Sequence, residues 1–138
     1  MNTQPFTNSK GVISGNCWRI GVLSDSLLRL EWSDTGEFND DATLMAVNRD
    51  FGTPPEYSTS IADGLLTVET TALRLTYDMR PFSKEGLSIV VKGVKDTKTN
   101  TWHFGDAQEG NMKGTARTLD WADGAIPLND GVVSRDGW

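Results

Sequence analysis

A chain of 138 residues is long enough for one domain with a single core, because a globule near that length buries roughly two-thirds of the surface its unfolded chain exposes. The composition is 37% hydrophobic and 23% charged, with a net charge of −6. No apolar run approaches the roughly 18 residues that span a bilayer, so no membrane partner is expected, and the acidic balance argues against nucleic acid, whose affinity comes mainly from Lys and Arg neutralising phosphates.

The single cysteine, Cys17, and the single histidine, His103, provide neither an intrachain disulfide nor the three or four ligands of a zinc site, so no metal or cofactor is expected. The first residues, Met1-Asn2-Thr3-Gln4-Pro5, lack the positive n-region and apolar h-region of a secretory signal, which makes a cytoplasmic location the default expectation.

Cys17 reads as a buried or half-buried strand residue, and strand-type alternation places Trp18, Ile20 and Val22 on one face. After Ser24-Asp25-Ser26 the same period returns in Leu28, Leu30 and Trp32, which predicts a hairpin. Its other face carries Arg29 and Glu31, which either meet water or form a cross-strand polar layer. Asp34-Thr35-Gly36 supplies turn chemistry, and Asp40-Asp41 reads as a pair of solvated turn carboxylates.

The strongest local signal is Asp63-Gly64 between the alternating runs Tyr57 to Ala62 and Leu65 to Thr70. Both central residues of a type I′ turn need positive φ, which Asp and especially Gly tolerate, so a two-residue hairpin is predicted. Leu73, Leu75 and Tyr77 form a further strand, Arg80-Pro81-Phe82 breaks it, and Leu87, Ile89 and Val91 form another.

Trp102-His103-Phe104 is a short aromatic-flanked strand segment in which His103 reads as packed or on an edge. No long window shows helical spacing. Short strands with closely spaced turns predict an all-β fold, an antiparallel β-sandwich, with residues 1–138 as one domain and 107–138 as a loop-rich tail.

In that tail, Asn111-Met112-Lys113-Gly114-Thr115-Ala116-Arg117-Thr118-Leu119-Asp120, then Ala122-Asp123-Gly124, Pro127-Leu128 and Gly131-Val132-Val133-Ser134-Arg135-Asp136-Gly137-Trp138, resemble glycoside hydrolase family 31. The likeness is to the branch with an Asn-Leu-Gly-Gly-Thr-x-Arg-Thr-Leu-Asp segment followed by Leu-Ser-Arg-x-Gly-Trp ahead of the catalytic barrel. Leu27-Leu28-Arg29-Leu30-Glu31, Phe38-Asn39-Asp40 and Val47-Asn48-Arg49-Asp50-Phe51 are similar to that family's first strands and turn. Met112-Lys113 departs from the family's Leu-Gly, which puts the tight backbone at Lys113 in question.

The resemblance implies a galactose mutarotase-like β-sandwich, a supersandwich, ahead of a (β/α)8 barrel in the same polypeptide. Two barrel aspartates would there carry out retaining hydrolysis of α-glycosides. Such a pair holds its carboxyl groups about 5 to 5.5 Å apart, and neither family motif for those aspartates occurs in this chain. The expectation is therefore a non-catalytic domain of an α-glucosidase-like enzyme, with the barrel and its carbohydrate substrate as partners.

Barrels of this kind place their sites at the C-terminal ends of their strands, and a loop of the preceding domain lies over that face in the family. Asp120, Trp121 and Asp123 are the matching substrate-rim candidates, carboxylates to accept from sugar hydroxyls and a ring face to pack on the sugar. Arg117, Arg135 and Asp136 are structural loop candidates, with Arg117 bracing Asp120 as the alternative role for that carboxylate.

The five tryptophans raise a second reading, a carbohydrate-binding module. Trp18 and Trp32 have apolar strand partners and read as core, whereas Trp121 and Trp138 lie in the tail. A purely structural or oligomerisation scaffold is the third reading.

Overall fold

The computed structural model of the chain describes residues 4–43, 46–53, 55–94, 100–115, 118–136 and 138. After a 3-10 turn at Ser9–Gly11 come eight strands: β1 (Val12–Ser14), β2 (Trp18–Ser24), β3 (Leu27–Trp32), β4 (Ser58–Ala62), β5 (Leu65–Glu69), β6 (Leu73–Tyr77), β7 (Leu87–Val91) and β8 (Thr101–His103). They form two antiparallel sheets, β1-β2-β3 and β4-β5-β6-β7-β8. The fold is all-β, and the two sheets share one core as a β-sandwich.

The predicted hairpins are present. β2 and β3 pair around Asp25-Ser26, with a bulge between Val22 and Ser24, and β4 and β5 pair around Asp63-Gly64 in unbroken register. Asp63 and Gly64 have φ of 52° and 79°, the positive values that a type I′ turn needs and that match the right-handed twist of the flanking strands. The three-residue β1 carries too short an alternation to be read from sequence. Its pairing with β2 is what makes it a strand.

Alternation decides what each strand buries. Trp18, Ile20 and Val22 of β2 enter the core against Leu66 and Val68 of β5, Leu75 and Tyr77 of β6, and Leu87 of β7. The Trp18 indole meets the Tyr77 ring edge-on at 5.6 Å between centroids, an arrangement favoured by the aromatic quadrupole. Tyr77 is wholly buried, and its hydroxyl donates to the Arg80 carbonyl at 2.5 Å. Burial pushes its pKa up to about 12. Trp32, the other tryptophan read as core, is half-buried and packs beside Phe82 at 6.2 Å.

The opposite face of β2 and β3 is a charged layer rather than a wet surface. Arg19 lies across from Glu31 and donates from Nε and Nη2 to its two oxygens at 2.7 and 2.9 Å. The same guanidinium donates to both oxygens of Asp40, at 2.6 and 3.1 Å, and lies 4.8 Å from the Phe38 ring centroid. Arg29 adds a bond to Glu31 at 2.6 Å.

Asp40 is thus a pin rather than the solvated turn carboxylate that its sequence context suggests. It fastens the segment after β3 to the outside of the sheet. Arg49 completes the fastening with only 2% of its surface exposed. Its Nη2 donates to the Asp41 carbonyl at 2.8 Å, its backbone N–H to Gln4 at 2.7 Å, and Asp40 lies 3.9 Å from its Nη1. Nε and Nη1 find no hydrogen-bond acceptor, so the charge of Asp40 is the main offset to the cost of burying this cation.

Two expectations follow. Leu75 is fully buried, so Leu75→Ala should cost about 2–5 kcal/mol in urea unfolding. Glu31 and Asp40 are held below the usual carboxylate range. For Glu31, burial favours the neutral acid, but the bonds from Arg19 and Arg29 outweigh it. For Asp40, the bond from Arg19 dominates. Depressed folded values mean that the cluster stabilises fully above the unfolded carboxylate pKa of roughly 4 and loses that stability as pH falls through the folded values. Glu31→Gln should therefore lower stability near neutrality by about 1–3 kcal/mol and flatten the decline of the urea midpoint on acidification. An unchanged acid slope would refute the linkage.

Candidate functional site

The tail is held together by paired backbone although it contains no named strand. Asn111 and Ser134 form an antiparallel bridge. Around it, Met112 N–H donates to Val133 at 2.9 Å, Gly114 N–H to Asn129 at 2.7 Å, and Arg135 N–H to Gly110 at 2.9 Å. The Asn111 side chain staples the two arms, since Nδ2 donates to the Gly131 carbonyl at 2.8 Å and Oδ1 accepts from Gly131 N–H at 2.9 Å. Lys113 adds an ion pair with Asp130 at 2.5 Å.

Close approach of the arms explains two residue choices. A Cβ on Gly131 would collide with the Lys113 carbonyl, so only glycine fits there. Lys113 itself has φ of 65°, the left-handed region that costs an L-residue roughly 1–2 kcal/mol. The lysine thus adopts a conformation that a glycine would take more cheaply.

The arms carry a projecting tip. Thr118 Oγ1 accepts from Asp120 N–H at 3.0 Å, and Ala122 N–H donates to the Leu119 carbonyl at 3.0 Å. Within this turn Trp121 has φ of 66°, and its indole is fully exposed to solvent. Asp120, Trp121 and Asp123, the three rim candidates, are all exposed in or beside this turn. Leu119, Val132 and Val133 are exposed in the same tail. Arg117 lies outside the described residues, so its pairing with Asp120 has no structural description.

The remaining candidates sit at the base. Arg135 engages through its backbone in the ladder, with its side chain exposed. Asp136 accepts from Ser134 Oγ at 3.0 Å, and its own N–H donates to that oxygen. It also lines a cleft of about 390 Å³ with Lys84, Thr101, Asp106, Glu109 and Trp138.

His103 is half-exposed on β8, an edge strand, with Asp106 beside its Nδ1 at 3.2 Å. That carboxylate escapes a reading of the sequence because a turn, not strand pairing, brings it there. It accepts from Lys84 at 2.7 Å and from His103 N–H at 2.9 Å. Lys84 first, then the His103 backbone, lower its pKa to about 2.

Among the described residues no three His, Cys, Asp or Glu side chains gather as metal ligands. Nor, among the described residues, is any helix long and apolar enough to cross a membrane. Chemically, the exposed tip offers hydrogen-bond acceptors and a ring face. It lacks the dry, apolar surroundings that turn a carboxyl group into a general acid. No protein-family model matches the chain, and no curated protein matches it at a significant level.

The tail ladder has its own test. Gly131→Ala should open the ladder, raising hydrogen exchange at the Met112 and Gly114 amides by about tenfold or more, equivalent to about 1.4 kcal/mol. Lys113→Gly should leave the same amides at least as protected. Equal protection in all three proteins would show that the arms are not held by this packing.

Proposed function

We propose that this chain is a non-catalytic domain of a retaining α-glycoside hydrolase resembling family 31. In this reading it packs against a (β/α)8 barrel of the same polypeptide and lends its tail tip to the rim of the substrate site. The observation that carries the reading is the tip itself, where Trp121 stands fully exposed next to Asp120 and near Asp123 in the segment on which the resemblance rests. Carboxylates accept from sugar hydroxyls, and an indole face packs on the apolar face of a pyranose ring, so the set suits orientation of substrate rather than bond cleavage. Leu119, Val132 and Val133, each exposed in the same segment, are apolar side chains that a covering partner would bury.

The same exposed indole favours one other reading, a module that binds carbohydrate without a barrel. The experiment separates them. The 138-residue chain should turn over no aryl α-glucoside, and titration with maltose should leave its Trp fluorescence unchanged. In the barrel-bearing polypeptide, Trp121→Ala should lower kcat/KM by about tenfold, a loss of about 1.4 kcal/mol at the transition state. Saturable maltose binding by the chain alone would favour the module. Turnover that copurifies with the chain would overturn the non-catalytic assignment.

A further inference from the structure

β4 is the outer strand of the five-stranded sheet, and each of Ser58, Thr59, Ser60, Ile61 and Ala62 is exposed. Edge strands are ordinarily blunted by Lys, by Pro, by a bulge or by a covering loop. β4 contains no charged residue and no proline, and its register with β5 runs without a bulge. Thr59 and Ile61 lie opposite the buried Val68 and Leu66, so both side chains are on the core-facing side of the sheet. The three-stranded sheet does not extend over them, and Ile61 stays 66% exposed.

The hydrogen-bond phase follows from the turn. A two-residue type I′ loop closes on a hydrogen-bonded pair, here Ala62 and Leu65. Alternation along the ladder then directs the N–H and C=O groups of Ser58, Ser60 and Ala62 toward β5 and those of Thr59 and Ile61 away from it. None of the backbone bonds that the described residues make outside strands uses Thr59 or Ile61.

We propose that β4 pairs antiparallel with β4 of a second copy of this chain, about a two-fold axis at Ser60, to give one continuous sheet through both copies. With Ser60 facing its symmetry mate, Thr59 and Ile61 of the second copy exchange both backbone bonds, and Ile61 and Thr59 of the second copy do the same. The outward-pointing residues flank Ser60 symmetrically, so the edge is self-complementary, as a two-fold interface requires. Charge agrees with this register. Tyr57 falls opposite Asp63 and Glu56 opposite Gly64 of the second copy, so no like charges face each other although each chain carries −6. On the inner side, Ile61 is covered by Thr59 of the second copy. The inference stands on β4 alone and is independent of the carbohydrate reading.

Sedimentation velocity across roughly a hundredfold range of concentration tests it, and a dimer should grow with concentration. Raising salt to about 0.5 M, which shortens the Debye length to about 4 Å, should strengthen the dimer by screening the net charge. Ile61→Lys should weaken association by at least about tenfold with an unchanged far-UV circular dichroism spectrum. Register is read by cysteine pairing in a Cys17→Ser background. Ser60→Cys should form an intermolecular disulfide in air, whereas Thr59→Cys should not, because two such residues are diagonal neighbours about 7–8 Å apart. A chain that stays monomeric over the whole range, an Ile61→Lys variant that associates like the parent, or cross-linking of Thr59→Cys as readily as Ser60→Cys would each overturn the proposal.

Discussion

Trp18, Ile20 and Val22 of β2, packed against β5, β6 and β7, are the contact on which the molecule depends, because among the described residues they alone of the buried apolar side chains come from the smaller sheet. Close packing fixes the separation of the sheets, and the edge-on contact of Trp18 with Tyr77 sets their relative placement. Phe82 extends the contact from Tyr77, at 5.4 Å, toward Trp32 and Phe104. The break after β6 thus packs into the aromatic end of the core instead of leaving it open.

β2 is loaded on both faces, which binds the charged layer to the core. Arg19 follows Trp18 directly, so the backbone that holds the indole inward holds the guanidinium outward. One planar cation then reaches two carboxylates in forked geometry, Glu31 in the neighbouring strand and Asp40 in the following segment. The Arg49 cation, buried beside Asp40, ties the segment around it to the same layer. Phe38-Asn39-Asp40 and Val47-Asn48-Arg49-Asp50-Phe51, two of the stretches that carry the family resemblance, lie in this fastening, so their residue types have a structural reason independent of any substrate.

The tail differs in kind. Its order comes from backbone bonds, the Asn111 staple and glycines that let two arms approach, with few buried apolar groups. Such a unit keeps its shape while offering its side chains outward, which suits a recognition element better than a core. Asp120, Trp121 and Asp123 were readable as a group because they are neighbours in sequence. Their shared exposure was not, since it depends on what the rest of the chain leaves uncovered around the turn at Leu119 to Ala122. Asp106 beside His103 was likewise invisible to strand periodicity, and Asp40 looked like a solvated turn residue because its partner Arg19 lies 21 positions away.

By itself the sequence determined the local elements. Period-two alternation named the inward residues of β2, β3, β6 and β7, and Asp63-Gly64 marked its hairpin, because strand pleat and turn φ are properties of a few consecutive residues. Only the tertiary structure decided that three strands cover five. Ile61 shows the difference most plainly, since its alternation assigns it to the same face as Leu66, and yet one is exposed and the other buried. Periodicity tells which side of a sheet a residue takes. Whether anything lies across from that side is set by the extent of the opposing sheet, which is a property of the whole chain.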